Sequence, residues 1–112
     1  MKRFCLALDL KDNANLIAEY EYWHKNMWPE IIESIKSAEI ENMQLYRYSN
    51  RLFMIMEVTD EFSFDKKNAS DSSNEKVQEW ENFVWKFQQA MPGAKPGEKW
   101  VLMDKIFDLK EY

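Results

Sequence analysis

Glycine is almost absent from this chain: only Gly93 and Gly97 occur among its 112 residues. Loops that cradle phosphate groups need closely spaced glycines, because the backbone must approach the ligand. A nucleotide or a phosphorylated substrate is therefore disfavoured. Cysteine is scarcer still, since Cys5 is the only one and no internal disulfide can form. It lies in an apolar run, which favours a small buried hydrophobe over a reactive thiolate.

Histidine also occurs only once, as His24. A structural zinc site needs several nitrogen or sulfur ligands, so a lone histidine cannot build one. The carboxylates form no evident cluster in the sequence either. We expect neither a metal ion nor an organic cofactor.

No cluster of basic residues and no long apolar run is present. The 15 Lys and Arg against 20 Asp and Glu give a net charge of -5, which repels a nucleic-acid backbone and gives no basic patch for a membrane surface. The apolar stretch after Arg3 is broken by Asp9, which makes it too short for a signal peptide or a membrane span. We expect a cytoplasmic protein that binds neither nucleic acid nor membrane.

Aromatic residues are plentiful by contrast, with five Trp, five Tyr and seven Phe. Each such ring buries about 150–250 Å², so relatively few of them fill a small core. The length suits a single domain over residues 1–112.

Hydrophobic patterning predicts the order β, α, β, β, α, β, with the first helix broken at Pro29. Asp12-Asn13 is a helix-start signal, Ser49-Asn50 is a tight-turn signal, and Pro92-Gly93 ends the last helix. The predicted elements are a strand at 3–10, a helix at 14–25, a helix at about 29–38, strands at 40–48 and 51–58, a polar loop or lid at 59–74, a helix at about 74–90, and a strand at 99–109.

This order favours an α+β fold of the ferredoxin-like β-α-β-β-α-β type. Each amphipathic helix needs a surface on which to bury its apolar stripe, and one face of an antiparallel sheet supplies it. The other face then needs cover, which either dimerisation or a ligand cavity provides.

Tyr20 and His24 are the residues that most suggest chemistry. A spacing of four places them on the same helix face, and an imidazole gains or loses a proton near neutral pH. Trp28 is near in sequence, and aromatic rings pack against the C–H face of a sugar. A purely structural alternative exists, because a histidine at a helix C-terminus can simply bind the last carbonyl groups. Trp80 falls on the apolar stripe of its helix, so core packing explains it as well.

The segment from Tyr20 to Ile31 resembles the signature Y-x-x-x-H-x-x-x-W-P-E-[LI] of the L-rhamnose mutarotase family. The hairpin 45–58, the segment 77–80 and Met91-Pro92 are similar to later parts of that family's pattern. The match runs over nearly the whole chain, and its first motif is the specific part.

The resemblance implies a dimeric ferredoxin-like α/β barrel that interconverts the anomers of a 6-deoxy sugar, L-rhamnose first and L-fucose next. It implies that His24 is the proton donor and that Tyr20 and Trp80 contact the sugar. Trp28 is expected to contact the sugar as well, because it is close to His24 in sequence. Met43 and Glu81 stand where the family has a tyrosine and a second tryptophan, which leaves the sugar open. Two alternatives are a non-catalytic dimeric ferredoxin-like domain that binds a small ligand, and a heme-handling or monooxygenase enzyme on the same fold.

Overall fold

The computed structural model describes residues 1–112 as a five-stranded sheet with four α-helices. No helix combines the length and the apolar character needed to cross a membrane. The elements are β1 (Lys2–Leu10), α1 (Ala14–Lys25), α2 (Pro29–Ser37), β2 (Ile40–Tyr48), β3 (Arg51–Val58), α3 (Phe64–Ser73), α4 (Glu75–Trp85), β4 (Gln88–Gln89), β5 (Val101–Leu102) and a 3-10 turn (Leu109–Glu111).

The sheet confirms the predicted ferredoxin-like arrangement. Its strand order is β2-β3-β1-β4 with antiparallel pairing, and β5 also pairs with β1. Leu6 lies opposite Met54 and Leu8 opposite Leu52, so alternate residues of neighbouring strands share one apolar face. The buried side chains of that face are Leu6, Leu8, Leu10, Leu52, Met54, Met56 and Val58.

Local signals place the first helices and the hairpin as predicted. The Asn13 side chain accepts hydrogen bonds from the backbone N–H groups of Asn15 and Leu16, at 3.0 and 3.1 Å, and so caps α1. Pro29 occupies the first position of α2. Backbone N–H groups in the first turn of a helix have no acceptor within the helix, so proline, which lacks this group, loses no hydrogen bond there. Ser49, in the turn between β2 and β3, takes a left-handed φ of 54°.

The prediction of a loop over 59–74 is wrong, because α3 occupies most of it. The Ser63 hydroxyl accepts from the N–H of Lys66 and caps this helix. None of its ten residues is buried, so no apolar periodicity announces it in the sequence. It is held by other elements: Phe64 packs edge to face against Phe4 of β1, and the Gln78 side chain of α4 donates to the carbonyl of Asp71 at 2.9 Å.

The predicted helix over 74–90 is five residues too long, since α4 ends at Trp85. Phe87 follows with its side chain fully buried, and its carbonyl accepts from the N–H of Lys11 at 2.9 Å. Gln88 and Gln89 then pair with the end of β1 as the short strand β4. Sheet pairing therefore ends the helix well before Pro92.

The predicted strand over 99–109 is also too long, since only Val101–Leu102 forms a strand, beside Leu6 and Ala7 of β1. Met103 still donates its N–H to the carbonyl of Cys5 at 2.8 Å, and the residues after it form no strand. Ile106 is 94% exposed and Phe107 is 65% exposed, although the Phe107 ring stacks on that of Tyr112 in the same segment.

Candidate functional site

His24 lies in the last turn of α1, and a hydrogen bond to its own helix fixes the orientation of its ring. Nδ1 is 2.9 Å from the backbone oxygen of Tyr20. A carbonyl oxygen can only accept, so Nδ1 carries the proton and donates it. This contact is the structural role that the sequence left open for a lone histidine. It occupies one ring nitrogen and leaves Nε2 free for other chemistry.

Burial lowers the pKa of His24 below its ordinary value of about 6.5, and the hydrogen bond to Tyr20 opposes this only in part. No carboxylate is hydrogen-bonded to the ring or forms an ion pair with it. At neutral pH the imidazole is therefore neutral, with a lone pair on Nε2. It can act as a base that takes a proton and then returns it.

The Tyr20 ring packs against that of His24, with 4.2 Å between their centroids, as the shared helix face predicts. Tyr20 is only 3% exposed, and burial raises its pKa to about 12, although a hydrogen bond from Gln88 lowers it slightly. Its hydroxyl therefore remains protonated at neutral pH. Tyr20 can donate and accept hydrogen bonds but cannot act as the base.

Two clefts meet at His24. The first has a volume of about 380 Å³ and lies between the α1–α2 helices and β2; it is lined by His24, Met27, Ile32, Ile35, Lys36, Ile40, Glu41, Asn42, Met43 and Leu45. The second, of about 410 Å³, is lined by Tyr20, Glu21, His24, Lys25, Leu45, Tyr46, Arg47 and Leu52. Clefts of this size are typical of small-molecule sites.

A β-bulge shapes the first cleft. The pairing of β2 with β3 shifts register between Ile40 and Asn42. The extra residue keeps Met43 in line with Ile40, so that both face the helices. Met43 thereby lines the cleft that His24 also lines.

Trp80 and Trp28 form an aromatic support next to His24. The ring centroids of Trp80 and His24 are 5.6 Å apart, and those of Trp28 and Trp80 are 5.1 Å apart. Both pairs pack edge to face. Trp80 is only 9% exposed, and it packs in the hydrophobic core with Val77 and Val84. All four predicted site residues thus form one cluster, but only Tyr20 and His24 line the clefts.

Sequence reasoning missed most of the cleft wall. Met27, Leu45 and Arg47 line it, and a hydrogen-bonded ion pair joins Arg47 to Glu21. The alternation along β2 carried a signal, since Met43, Leu45 and Arg47 are spaced two apart. That signal says which residues share a face but not what lies opposite. No group of three or more His, Cys, Asp or Glu side chains is arranged to hold a metal ion.

Comparison with known proteins identifies the family. The L-rhamnose mutarotase family model matches residues 3–109. An L-fucose mutarotase from Xanthomonas campestris is 42% identical over 99% of this chain and 90% of its own length. An L-rhamnose mutarotase from Oceanobacillus iheyensis is 33% identical over 63% of this chain and 62% of its own. The crystal structure of an L-rhamnose mutarotase from Formosa agariphila shares the fold, with a TM-score of 0.72, 18% identity and coverage of 97% of this chain and 99% of that one.

Proposed function

The chain belongs to the L-rhamnose mutarotase family, and on that premise we propose that it interconverts the anomers of a 6-deoxy sugar with His24 as the proton carrier. It is a sugar mutarotase, an isomerase that acts on carbohydrates. In this proposal residues 1–112 form one mutarotase domain. A cytoplasmic location suits a chain with a single cysteine.

One observation carries the catalytic role of His24. Its Nδ1 is held by the backbone of its own helix, at 2.9 Å from the Tyr20 oxygen, while the same ring lines both clefts. A positioned imidazole with one free nitrogen is the group that general acid–base catalysis uses most often. The neighbouring Tyr20 hydroxyl supplies a hydrogen-bonding group for the sugar.

Mutarotation moves one proton from the anomeric hydroxyl to the ring oxygen. In the proposed mechanism Nε2 of His24 takes the hydroxyl proton as the bond between C1 and the ring oxygen breaks. The resulting imidazolium gives that proton to the ring oxygen, which leaves the open-chain aldehyde and neutral His24. After rotation about the C1–C2 bond, the same steps in reverse form the other anomer.

Tyr20 orients the sugar in this mechanism. Since its hydroxyl remains protonated at neutral pH, it donates a hydrogen bond to a sugar oxygen without losing its proton. Trp80 packs against the imidazole and Trp28 packs against Trp80, so in this mechanism the two rings support His24 from outside the clefts. No metal ion or organic cofactor enters any step.

The first cleft favours a deoxy sugar. Six of its ten lining residues are hydrophobic, and Met27 and Met43 are flexible side chains that can enclose a methyl group. We place L-fucose ahead of L-rhamnose, which reverses the order that the signature alone suggests. The support is the L-fucose mutarotase that is 42% identical over 99% of this chain.

A sugar panel tests this function by NMR saturation transfer between the α and β signals. We expect faster exchange of L-fucose and, to a smaller extent, of L-rhamnose. L-galactose differs from L-fucose only by a hydroxyl on C6 and is the matched control. Apolar pockets discriminate against one added hydroxyl by about 10- to 100-fold at most. We therefore expect the acceleration for L-fucose to exceed that for L-galactose by a factor within that range.

The rival function, a ligand-binding domain without catalysis, gives a different result in the same panel. Sugar binding to such a domain would quench its tryptophan fluorescence, but the anomers would exchange at the same rate as in buffer alone. Acceleration of no 6-deoxyhexose would contradict the mutarotase. Equal acceleration of L-fucose and L-galactose would contradict the role of the apolar cleft.

We also propose that the protein works as a homodimer. The C-terminal segment 103–112 carries large apolar side chains that are largely exposed: Met103, Ile106, Phe107, Leu109 and Tyr112 are 46% to 94% exposed. Exposed apolar residues in one contiguous segment are typical of protein interfaces. A second copy of this chain is the partner that would cover them together with the helix-free face of the sheet.

Light scattering after gel filtration tests the dimer. We expect a mass of two chains for the wild type, and a mass of one chain for a variant with both Ile106→Asp and Phe107→Asp. Buried hot-spot residues contribute about 2 kcal/mol or more to an interface, so two such changes weaken the dimer by at least two orders of magnitude. Glu111→Lys on the same segment is the control and should stay dimeric. A wild type with the mass of one chain would contradict the proposal.

A further inference from the structure

Gln88 is a buried polar residue that the proposed mechanism does not yet use. It belongs to the two-residue strand β4 and pairs with Leu10 of β1. Its side chain is turned inward, and the residue is only 4% exposed. Gln89, the next residue of the same strand, is exposed.

The Gln88 amide is only half satisfied. Its Nε2 donates to the Tyr20 hydroxyl oxygen at 3.4 Å, while its Oε1 is buried without any hydrogen-bond partner. A buried polar atom without a partner lowers stability, and an apolar side chain of the same shape would avoid that loss. A glutamine at such a position therefore points to a task other than folding.

The contact itself indicates the task. Gln88 is the only side chain hydrogen-bonded to the Tyr20 hydroxyl, and it approaches as a donor. The oxygen of Tyr20 is thereby occupied as an acceptor, which leaves the hydroxyl hydrogen free to be donated elsewhere. Tyr20 lines the second cleft next to His24, with 4.2 Å between the two ring centroids.

We infer that Gln88 is a positioning residue, which holds the Tyr20 hydroxyl so that it donates its hydrogen bond to a sugar oxygen beside His24. This inference rests on the proposed mutarotase function. Gln88 does not touch the sugar and moves no proton. It fixes the direction of a donor, and misdirected donors weaken the stabilisation of a transition state.

Gln88→Met tests the inference, because methionine keeps the length and the unbranched shape of glutamine but cannot donate. We expect the turnover rate for L-fucose to fall about 3- to 30-fold, the range expected for a lost orienting hydrogen bond. The melting temperature should be unchanged or higher, since the unpartnered Oε1 is removed as well. Gln89→Met, on the exposed side of the same strand, is the matched control and should keep the wild-type rate.

A double variant separates positioning from a merely structural effect. In a Tyr20→Phe background the hydroxyl is absent, so Gln88→Met should lower the rate by less than about 2-fold further. The same loss in both backgrounds would overturn the inference, as would a wild-type rate for Gln88→Met alone. A loss that runs in parallel with a fall in melting temperature would overturn it too.

The wild type, measured in the same series, distinguishes the two claims. An active wild type together with a fully active Gln88→Met variant overturns the role of Gln88 and leaves the mutarotase proposal standing. A wild type that accelerates no sugar of the panel overturns the proposed function, and the positioning role is overturned with it.

Discussion

Replacing His24 by asparagine should lower the catalysed rate of anomer exchange by about 10²- to 10⁴-fold, the usual contribution of a general acid–base group. The amide of asparagine can replace the Nδ1 donor toward the Tyr20 carbonyl, but nothing replaces Nε2. The fold should therefore persist while the proton carrier is lost. Saturation transfer with L-fucose measures the rate, and circular dichroism with a thermal melt checks the fold.

Tyr22→Ala is the control for this experiment. Tyr22 lies on the same helix, is 55% exposed and lines neither cleft. It should retain nearly all activity. A His24→Asn protein that stays folded and still catalyses exchange within a few-fold of the wild type would remove His24 from the mechanism.

The pH profile gives His24 a second readout. Burial lowers its pKa, so the neutral, basic form persists below pH 6.5. The turnover rate should stay level from pH 8 to about 6.5 and decline only at lower pH, where the folded imidazole gains its proton. The free energy of unfolding should also fall as the pH falls. Below pH 6.5 the imidazole binds a proton in the unfolded chain, whereas in the folded chain its lowered pKa keeps it neutral. Urea titrations at several pH values measure this dependence, and the part that comes from His24 should be absent from the His24→Asn variant.

Truncation of Phe87 should cause the largest loss of stability in the chain. Its ring is fully buried and contacts those of Tyr20 and Phe83 edge to face, at 6.1 and 5.6 Å. Phe87→Ala leaves a cavity that the surrounding core cannot fill, at a cost of about 3–5 kcal/mol. Urea unfolding of this variant and of the wild type measures the difference.

Trp85→Ala provides the comparison, since Trp85 lies two residues earlier and is 39% exposed. Its loss should be clearly smaller, although the tryptophan is the larger side chain. Equal losses for the two variants would contradict the burial of Phe87. The Phe87→Ala protein should also lose activity below its melting temperature, because Tyr20 rests on the missing ring.

The proposed site shows how far local reasoning reaches. The spacing of four predicted that Tyr20 and His24 are neighbours, and their rings are 4.2 Å apart. A contact of His24 with a helix carbonyl was one alternative in the sequence, but the choice of Nδ1 and of the Tyr20 carbonyl depends on the side-chain rotamer and hence on packing. The cleft wall of Met27, Met43 and Leu45 comes from two elements that meet only in the folded chain.

The sequence by itself determined the features whose causes lie within a few residues. Asn13 caps α1, Pro29 begins α2, and the alternation of β1 creates one apolar face. The mutarotase signature belongs to the same class, since all of it falls within the end of α1, the turn after it and the first residues of α2. Such features need no knowledge of distant residues, so a linear reading found them.

Only the tertiary structure decided where distant segments meet. α3 is a helix without a buried residue that packs through Phe64 against Phe4 of β1, and α4 gives way to β4 because β1 offers it backbone partners. Gln88 and Tyr20 are 68 residues apart, yet one hydrogen bond joins them. Contacts at that separation depend on the relative placement of all the elements between them, which no local pattern encodes. The chemistry proposed here therefore begins with His24 in the sequence, while its surroundings are set by the fold.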